Sequence, residues 1–319
     1  MNVLILSAAA KVPLVRAFAE AAHARGGKVL AADLGPDNAA LFEADEAVIL
    51  PRSDAPGFAK ALAKVCAAHA VRLVVPTRDA ELPVLAAARD RLAEQGVTAL
   101  VAGAEALAAC QDKRRFTAVC AAQGLATPRT YAPDETPARF PVFVRPVTGA
   151  GGRGARRIDR AEDLPAGADL LVQVLETDPE YTVDVLLDLT GRPLQAVARR
   201  RLQVRAGEAV KSRVEDAPEL EEQALALCAA LGLVGHNVVQ AFHAPGRAPR
   251  FIEVNPRFGG ASSLSIRAGL ASPDRILQMV EGRGAEAAAP RPIAYGLTLL
   301  RYPEDRFVTE AELAALAEG

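Results

Sequence analysis

The stretch FIEVNPRFGG, residues 251–260, decides how the rest of the chain is read. Glu253 and Asn255 stand two apart in an extended run, so their side chains share one face of a strand. A carboxylate beside an amide oxygen is hard oxygen ligation, of the kind that suits Mg²⁺. Gln240, in the run before it (VVQAF, 238–242), places a third oxygen beside them if the two runs pair. Pro256 ends the strand because it cannot donate to a ladder, and Arg257 projects from the same rim. Taken alone, Glu253 and Asn255 also fit an ordinary exposed strand face with a Glu–Arg pair.

Upstream, residues 170–242 give more strands. Leu170 to Leu175 is a short apolar run, and EYTVDVLLD (180–188) alternates with period two, as a half-buried strand does. A turn at Gly191-Arg192-Pro193 returns the chain through Leu194 to Arg201. Leu220, Ala224, Leu227 and Leu231 form the stripe of an amphipathic helix. Further back, FPVFVRP (140–146) is a strand that runs into the glycine-rich TGAGGRGARR (148–157). Adjacent strands joined by hairpins make this half α+β.

The first 110 residues follow another rule. Apolar runs at 3–6, 29–32, 47–50, 72–75 and 98–101 alternate with helical stretches at 13–25, 58–69 and 79–95. That alternation predicts a parallel sheet with helices on both faces. The first run is followed by Ser7-Ala8-Ala9-Ala10, with no glycine where a dinucleotide pyrophosphate needs one.

Composition sets the outer limits. The chain has 319 residues, 50% of them hydrophobic, which excludes intrinsic disorder. A net charge of -2 and only 4% aromatic residues argue against a nucleic-acid partner. Cys66, Cys110, Cys120 and Cys228 form no CxxC pair and read as buried thiols of a reducing compartment. No run approaches the roughly 20 apolar residues of a membrane span, and the start carries no secretory signal pattern. The expectation is a cytoplasmic protein with no membrane partner.

Four further groups carry chemistry. Gly149, Gly151, Gly152 and Gly154 let backbone N–H groups approach phosphate oxygens, with Arg145 and Arg153 beside them. The string matches neither the P-loop nor the dinucleotide fingerprint, and a plain hairpin turn also explains it. Glu180 opens an alternating strand, near a segment (173–176) whose backbone is placed to read a base. RRRLQVRAGEAVKSR (199–213) is strongly basic, and Lys211 and Arg213 past Gly207 suggest a mobile loop over a substrate. Asp112-Lys113 is bland in isolation.

The order of these elements resembles the ATP-grasp superfamily, and within it single-copy relatives of the carbamoyl-phosphate synthase large subunit. The resemblance covers most of the chain and is most specific in IEVNPR with the Gln240 spacing. It implies an α/β and α+β architecture: a Rossmann-like pre-ATP-grasp domain over 1–110, a lid lobe over 111–177 and a C-terminal lobe with the metal site over 178–319. It assigns Lys113, Arg145, Gly151 and Gly152 to ATP phosphates, and Gln173, Val174 and Leu175 to the adenine pocket. Glu180 falls to the ribose, and Gln240, Glu253 and Asn255 to the metal. Arg257 and Lys211 fall to the transferred phosphate. The cofactors implied are ATP and Mg²⁺, with Mn²⁺ as an alternative, and the partners are small carboxylates and amines, with a homodimer by analogy. Three departures stand out: Arg145 where many relatives have Lys, Val174 where many have a carboxylate, and Gly259-Gly260 where carbamoyl-phosphate synthases are more basic. The last weakens a bicarbonate substrate. The leading expectation is a carboxylate–amine ligase. The alternatives are a carbamoyl- or carboxy-phosphate-type synthase and a nucleotide-binding module without turnover.

Overall fold

The computed structural model describes the chain apart from Pro133, Ala150, Gly151, Arg153, Ala166 and Gly319. Five short parallel strands come first: β1 (Asn2–Ile5), β2 (Val29–Asp33), β3 (Glu46–Ile49), β4 (Val71–Val75) and β5 (Thr98–Ala99). They lie in the order β3-β2-β1-β4-β5, so the order reverses between β1 and β4. Helices α1 (Val12–His23), α2 (Phe58–Ala68) and α3 (Leu82–Glu94) make the crossovers. The expected alternation is present. A fourth helix, α4 (Ala104–Gln111), is additional: its mixed Ala-rich sequence carries little periodic signal.

Helix α5 (Lys113–Ala122) follows, capped by the Asp112 side chain, which accepts from the N–H groups of Arg114 and Arg115. A small antiparallel sheet is built from β6 (Val142–Pro146), β7 (Arg156–Ile158) and β8 (Leu170–Val174), with β6 central. A larger sheet then takes β9 (Glu180–Leu187), β10 (Pro193–Arg205), β11 (Glu208–Val214), β12 (His236–Phe242), β13 (Arg250–Asn255) and β14 (Thr298–Leu300), in the order β13-β12-β9-β10-β11-β14. Helix α6 (Pro218–Ala230) covers one face of it. Helices α7 (Ser262–Ser265), α8 (Ser272–Val280) and α9 (Gly284–Ala288) sit at one end of the other, and α10 (Glu310–Glu318) closes the described chain.

Two expectations change here. Strand β9 is not half-buried: seven of its eight positions are buried, because it is central and covered on both faces. The basic segment 199–213 is not a loop. It is the hairpin β10–β11, turning at Ala206-Gly207, where both residues have positive φ. Two consecutive left-handed residues suit the two-residue turns that match strand twist.

The register explains where the core ends and a site begins. Tyr181, Val183, Val185 and Leu187 face α6 and join a core that continues into the first sheet. The other face of β9 carries Leu186, Asp184, Thr182 and Glu180 in turn. Leu186 packs with Val197, Val214, Phe258 and α1 residues in a second core. Along this face the surface therefore passes from apolar, through a buried ionic cluster at Asp184, to open polar groups at Glu180.

Candidate functional site

The open polar end of that face gathers residues from four strands. Gln240 pairs with Glu253 across β12–β13 and with Thr182 across β12–β9, and Asn255 pairs with Val238. Pairing partners share a face, so Gln240, Glu253, Asn255 and Glu180 all point to one side. Arg201 of β10 lies on the same side, opposite Ser212 of β11.

The small sheet leans on this face through Arg145. Its Nη2 donates to the carbonyl of Ile252 at 3.0 Å, and its Nη1 is 3.8 Å from Glu253 Oε2. Arg145 is buried, and its Nε has no partner among the described residues. An orphaned guanidinium N–H beside a carboxylate marks a place where an acceptor is missing. Lys113, also buried, donates from Nζ to the carbonyl of Gly149 at 2.9 Å, tying the start of α5 to the glycine-rich loop. Burial pulls the Lys113 ammonium below its ordinary value; Glu253 opposes that and Arg145 adds to it. Burial likewise lowers Arg145, with Glu253 opposing.

Gly152 has φ +69°, a conformation that favours glycine, and a Cβ added there meets nothing. Gly151, expected beside it, lies outside the described residues. Gln173 shares the Arg145 side of the small sheet, since Phe143 pairs with Gln173 and Arg145 with Leu171. Its carboxamide donates to Thr130 Oγ1 at 2.9 Å. The N–H of Val174 is already used by the carbonyl of Arg129, so this N–H is not free to read a base. Leu175 follows directly after β8.

Glu180 opens β9 and is held by Arg201, whose Nη2 also donates to the carbonyl of Gly207. Burial raises the Glu180 carboxyl above its ordinary value, and Arg201 opposes the rise. Arg201 was not singled out in the sequence. The signal was parity: Arg199 and Arg201 alternate along one strand as Thr182 and Glu180 do along its neighbour.

Arg257 is committed elsewhere. Its Nε and Nη2 make a bidentate pair with Asp79 at 2.8 and 2.7 Å, and Nη2 also donates to Asn255 Oδ1 at 3.3 Å. Asp79 lies just beyond β4 of the first sheet, so the pair joins the two halves of the chain at the end of β13. The neighbouring Phe258 is buried between His236, stacked at 4.0 Å, and Phe18 of α1, edge-on at 5.5 Å. Lys211 is not brought to this site. It sits in β11 and is exposed with Arg213, while Ser212 between them is buried, so alternation turns it from the Glu253 face.

Beneath the site lies a cluster that the sequence reading missed. Asp184, with no exposed surface, accepts hydrogen bonds from Arg199 Nε, Ser262 Oγ, Ser265 Oγ and His236 Nε2. His236 Nδ1 pairs with Ser272 Oγ at 2.8 Å. Burial alone would raise the Asp184 carboxyl, but Arg199 and His236 outweigh it and hold the group well below the usual carboxylate range. Ser262 Oγ also accepts from Gly259 N–H at 2.9 Å, so the cluster anchors the loop that carries Arg257.

Comparison with known proteins places this arrangement. Residues 3–100 match the PylC-like N-terminal domain family. Residues 167–301 match the family described as ATP-grasp in the biosynthetic pathway with Ter operon. The second half of the chain thus carries an ATP-grasp match, and the fold is that of the solved structures below. One curated relative is the formate-dependent phosphoribosylglycinamide formyltransferase of Synechococcus sp. (strain CC9605), 33% identical over 161 residues. That match takes in 48% of this chain and 39% of the relative, so the chain spans well under half of the length of that protein. Among solved structures, the biotin carboxylase of Campylobacter jejuni superposes with a TM-score of 0.69 at 16% identity, over 88% of this chain and 71% of that one. The N5-carboxyaminoimidazole synthetase of Staphylococcus aureus gives 0.68 at 17%, over 92% and 79%. The L-amino acid ligase of Bacillus licheniformis gives 0.67 at 18%, over 91% and 77%. At these identities the structures establish the ATP-grasp fold, with the parallel sheet of its preceding domain. No helix among the described residues is long and apolar enough to cross a membrane.

Proposed function

We propose that the chain is an ATP- and Mg²⁺-dependent carboxylate–amine ligase that works through an acyl phosphate. The observation that carries this reading is the single face formed by Gln240, Glu253 and Asn255, met by Arg145 of the small sheet, with Lys113 at the start of α5 tied to the glycine-rich loop. The donor set fits the metal: one carboxylate and two amide oxygens are hard ligands. No group of three or more His, Cys, Asp or Glu able to hold a metal occurs among the described residues.

In this reading Glu253, Asn255 and Gln240 would hold Mg²⁺, and the ion would supply charge neutralisation at the phosphates. Arg145 and Lys113 hold β- and γ-phosphate oxygens, and the orphaned Arg145 Nε gains its acceptor there. Glu180, positioned by Arg201, receives the ribose hydroxyls. Gln173 and Leu175 flank the adenine, and Gly152 falls to the phosphate end. A carboxylate oxygen of the substrate attacks the γ-phosphorus and the bond to ADP breaks. The amine then attacks the acyl carbon, phosphate leaves with the C–O electron pair, and the new amide nitrogen loses a proton. Arg257, paired with Asp79, steadies Asn255 from beside the site. The L-amino acid ligase that shares this fold is in keeping with that chemistry.

The test is ADP release from Mg-ATP over pooled acids and amines, with bicarbonate and no-substrate controls. Glu253→Ala is expected to lower ADP release at least about a hundredfold with an unchanged circular dichroism spectrum. Wild-type turnover in that variant removes the metal assignment, and bicarbonate-dependent release without an amine favours a carboxy-phosphate reaction instead. A homodimer, expected by analogy alone, is checked by sedimentation of the same preparation.

A further inference from the structure

The structure assigns Arg250 a role as the positioning residue for the segment that takes the nucleotide base. The base rests on the nucleotide reading proposed above; the ionic grip described here does not. Arg250 opens β13, the strand that carries Glu253 and Asn255 further on. The chain enters the small sheet through residues 123–141 and leaves it through 175–179, between β8 and β9. Both connections are held at the first two residues of β13. The entering one is held by its backbone: Ala126 bridges Arg250, and the Phe251 N–H donates to the Ala126 carbonyl at 2.8 Å. The leaving one is held by the Arg250 side chain.

One guanidinium grips two carboxylates of the leaving segment. Arg250 Nε lies 2.9 Å from Glu176 Oε1, and its Nη2 donates to Asp178 Oδ2. The planar fork of an arginine suits two such acceptors at once, as a lysine does not. The Arg250, Glu176 and Asp178 side chains are only 19%, 15% and 11% exposed, so water screens the grip weakly. Arg247 also reaches Asp178, at 3.0 Å, but it is 64% exposed and adds little. Without a cation between them, two carboxylates two residues apart repel each other. Arg250 removes that repulsion and fixes the backbone from Glu176 to Asp178. Just beyond, the Pro179 carbonyl accepts from the His243 N–H at 3.0 Å, which holds the far end.

The held segment has hydrogen bonds to offer. The N–H and carbonyl groups of Glu176 and Thr177 make no backbone hydrogen bond among the described residues. They follow directly on Gln173 and Leu175, the residues set beside the adenine. Extended backbone with open donors and acceptors pairs with a partner edge, whether a strand or a base. A strand rises roughly 3.3 Å per residue, so Glu253 lies about 10 Å along β13 from Arg250. The base end and the metal end of the site are thus spaced by one strand. Loss of the grip loosens the base end. The phosphate end, where Arg145 meets Ile252 and Glu253, keeps its own contacts.

Calorimetric titrations of the full chain compare Mg-AMPPNP with Mg-tripolyphosphate, which offers the phosphates and no base. Wild type is expected to bind the nucleotide more tightly. Arg250→Met is expected to lose at least about tenfold in Mg-AMPPNP affinity and to hold Mg-tripolyphosphate within about twofold. Arg250→Lys, whose ammonium reaches one carboxylate at a time, is expected to fall between. Arg247→Met should match wild type. A merely structural role weakens both ligands alike, and that result overturns the inference, as does an Arg250→Met chain that binds Mg-AMPPNP like wild type. If Arg250→Met does not fold, the double variant Glu176→Gln, Asp178→Asn decides by the same two titrations. Selective loss of the nucleotide in that chain supports the role; equal loss or none overturns it. Wild type that binds both ligands equally reads no base, which sinks the role of Arg250 and leaves the phosphate and metal end standing. Wild type that binds neither counts against the nucleotide reading itself, and the role of Arg250 falls with it.

Discussion

Replacing Asp184 with asparagine removes the charge at the centre of the buried cluster while keeping its shape. The carboxylate has no exposed surface and faces Arg199, His236 and two serine hydroxyls. Breaking a buried ion pair from one side costs about 3–5 kcal/mol, because the remaining charge stays buried and unpaired. The asparagine oxygen keeps one acceptor, so the lower part of that range, about 3–4 kcal/mol, is expected. Against a total stability of roughly 5–15 kcal/mol, that is a large loss. Urea unfolding followed by far-ultraviolet circular dichroism measures it, with Asp90→Asn as a surface control expected to change stability by less than about 0.5 kcal/mol. The pH dependence gives a second readout. The folded carboxyl is held low, so its contribution is complete above the unfolded value near 4 and is lost as pH falls below it. Asp184→Asn should therefore lose less stability on acidification than wild type. A cost under about 1 kcal/mol at neutral pH, with an acid limb that matches wild type, refutes the reasoning.

Glu221 behaves in the opposite sense. Burial pushes its carboxyl up to about 7, the N–H of Ala198 opposes the rise and Asp216 adds to it. The folded state then holds a proton that the unfolded state has lost between about 4 and 7, so stability falls as pH rises through that window. Glu221→Gln should melt higher than wild type at about pH 8 and with it at about pH 4, as read by differential scanning fluorimetry. The four cysteines are buried and free; burial pushes Cys66 up to about 11, and Cys110 and Cys120 up to about 12. The folded chain should stay unreactive to Ellman's reagent at mildly alkaline pH, with four thiols appearing together on unfolding; early labelling of one contradicts the packing.

Much of the fold was legible because it depends on short-range pattern. Five apolar runs separated by helical spacing specified the parallel sheet, and two-residue alternation put Glu253 beside Asn255. Gln240 joined them because the hairpin between β12 and β13 is short enough for the register to be guessed. The hairpin β10–β11 was misread because its charges looked like a loop; a solvated strand face carries the same residues. Lys211 went wrong with it, since a strand turns alternate residues away and a loop does not. The Asp184 cluster was hidden for a different reason. Its members are scattered from Asp184 to Ser272, and only the folded register brings them together. The ATP-grasp resemblance pointed to Arg257, yet nothing in sequence announces that Asp79, nearly two hundred positions earlier, holds it.

The lodging of Phe258 between His236 and Phe18, next to the Arg257–Asp79 clamp, bears on how such chains recombine. The PylC-like front and the grasp half match separate families, as though freely exchangeable. The contact says otherwise. A chimera that imports a foreign front must also bring a ring at position 18 and a carboxylate at position 79, or repair the loop after β13 to match. Inheritance of the two halves is thus tied at a few side chains rather than over the whole boundary. Those positions are where covariation between the halves should concentrate.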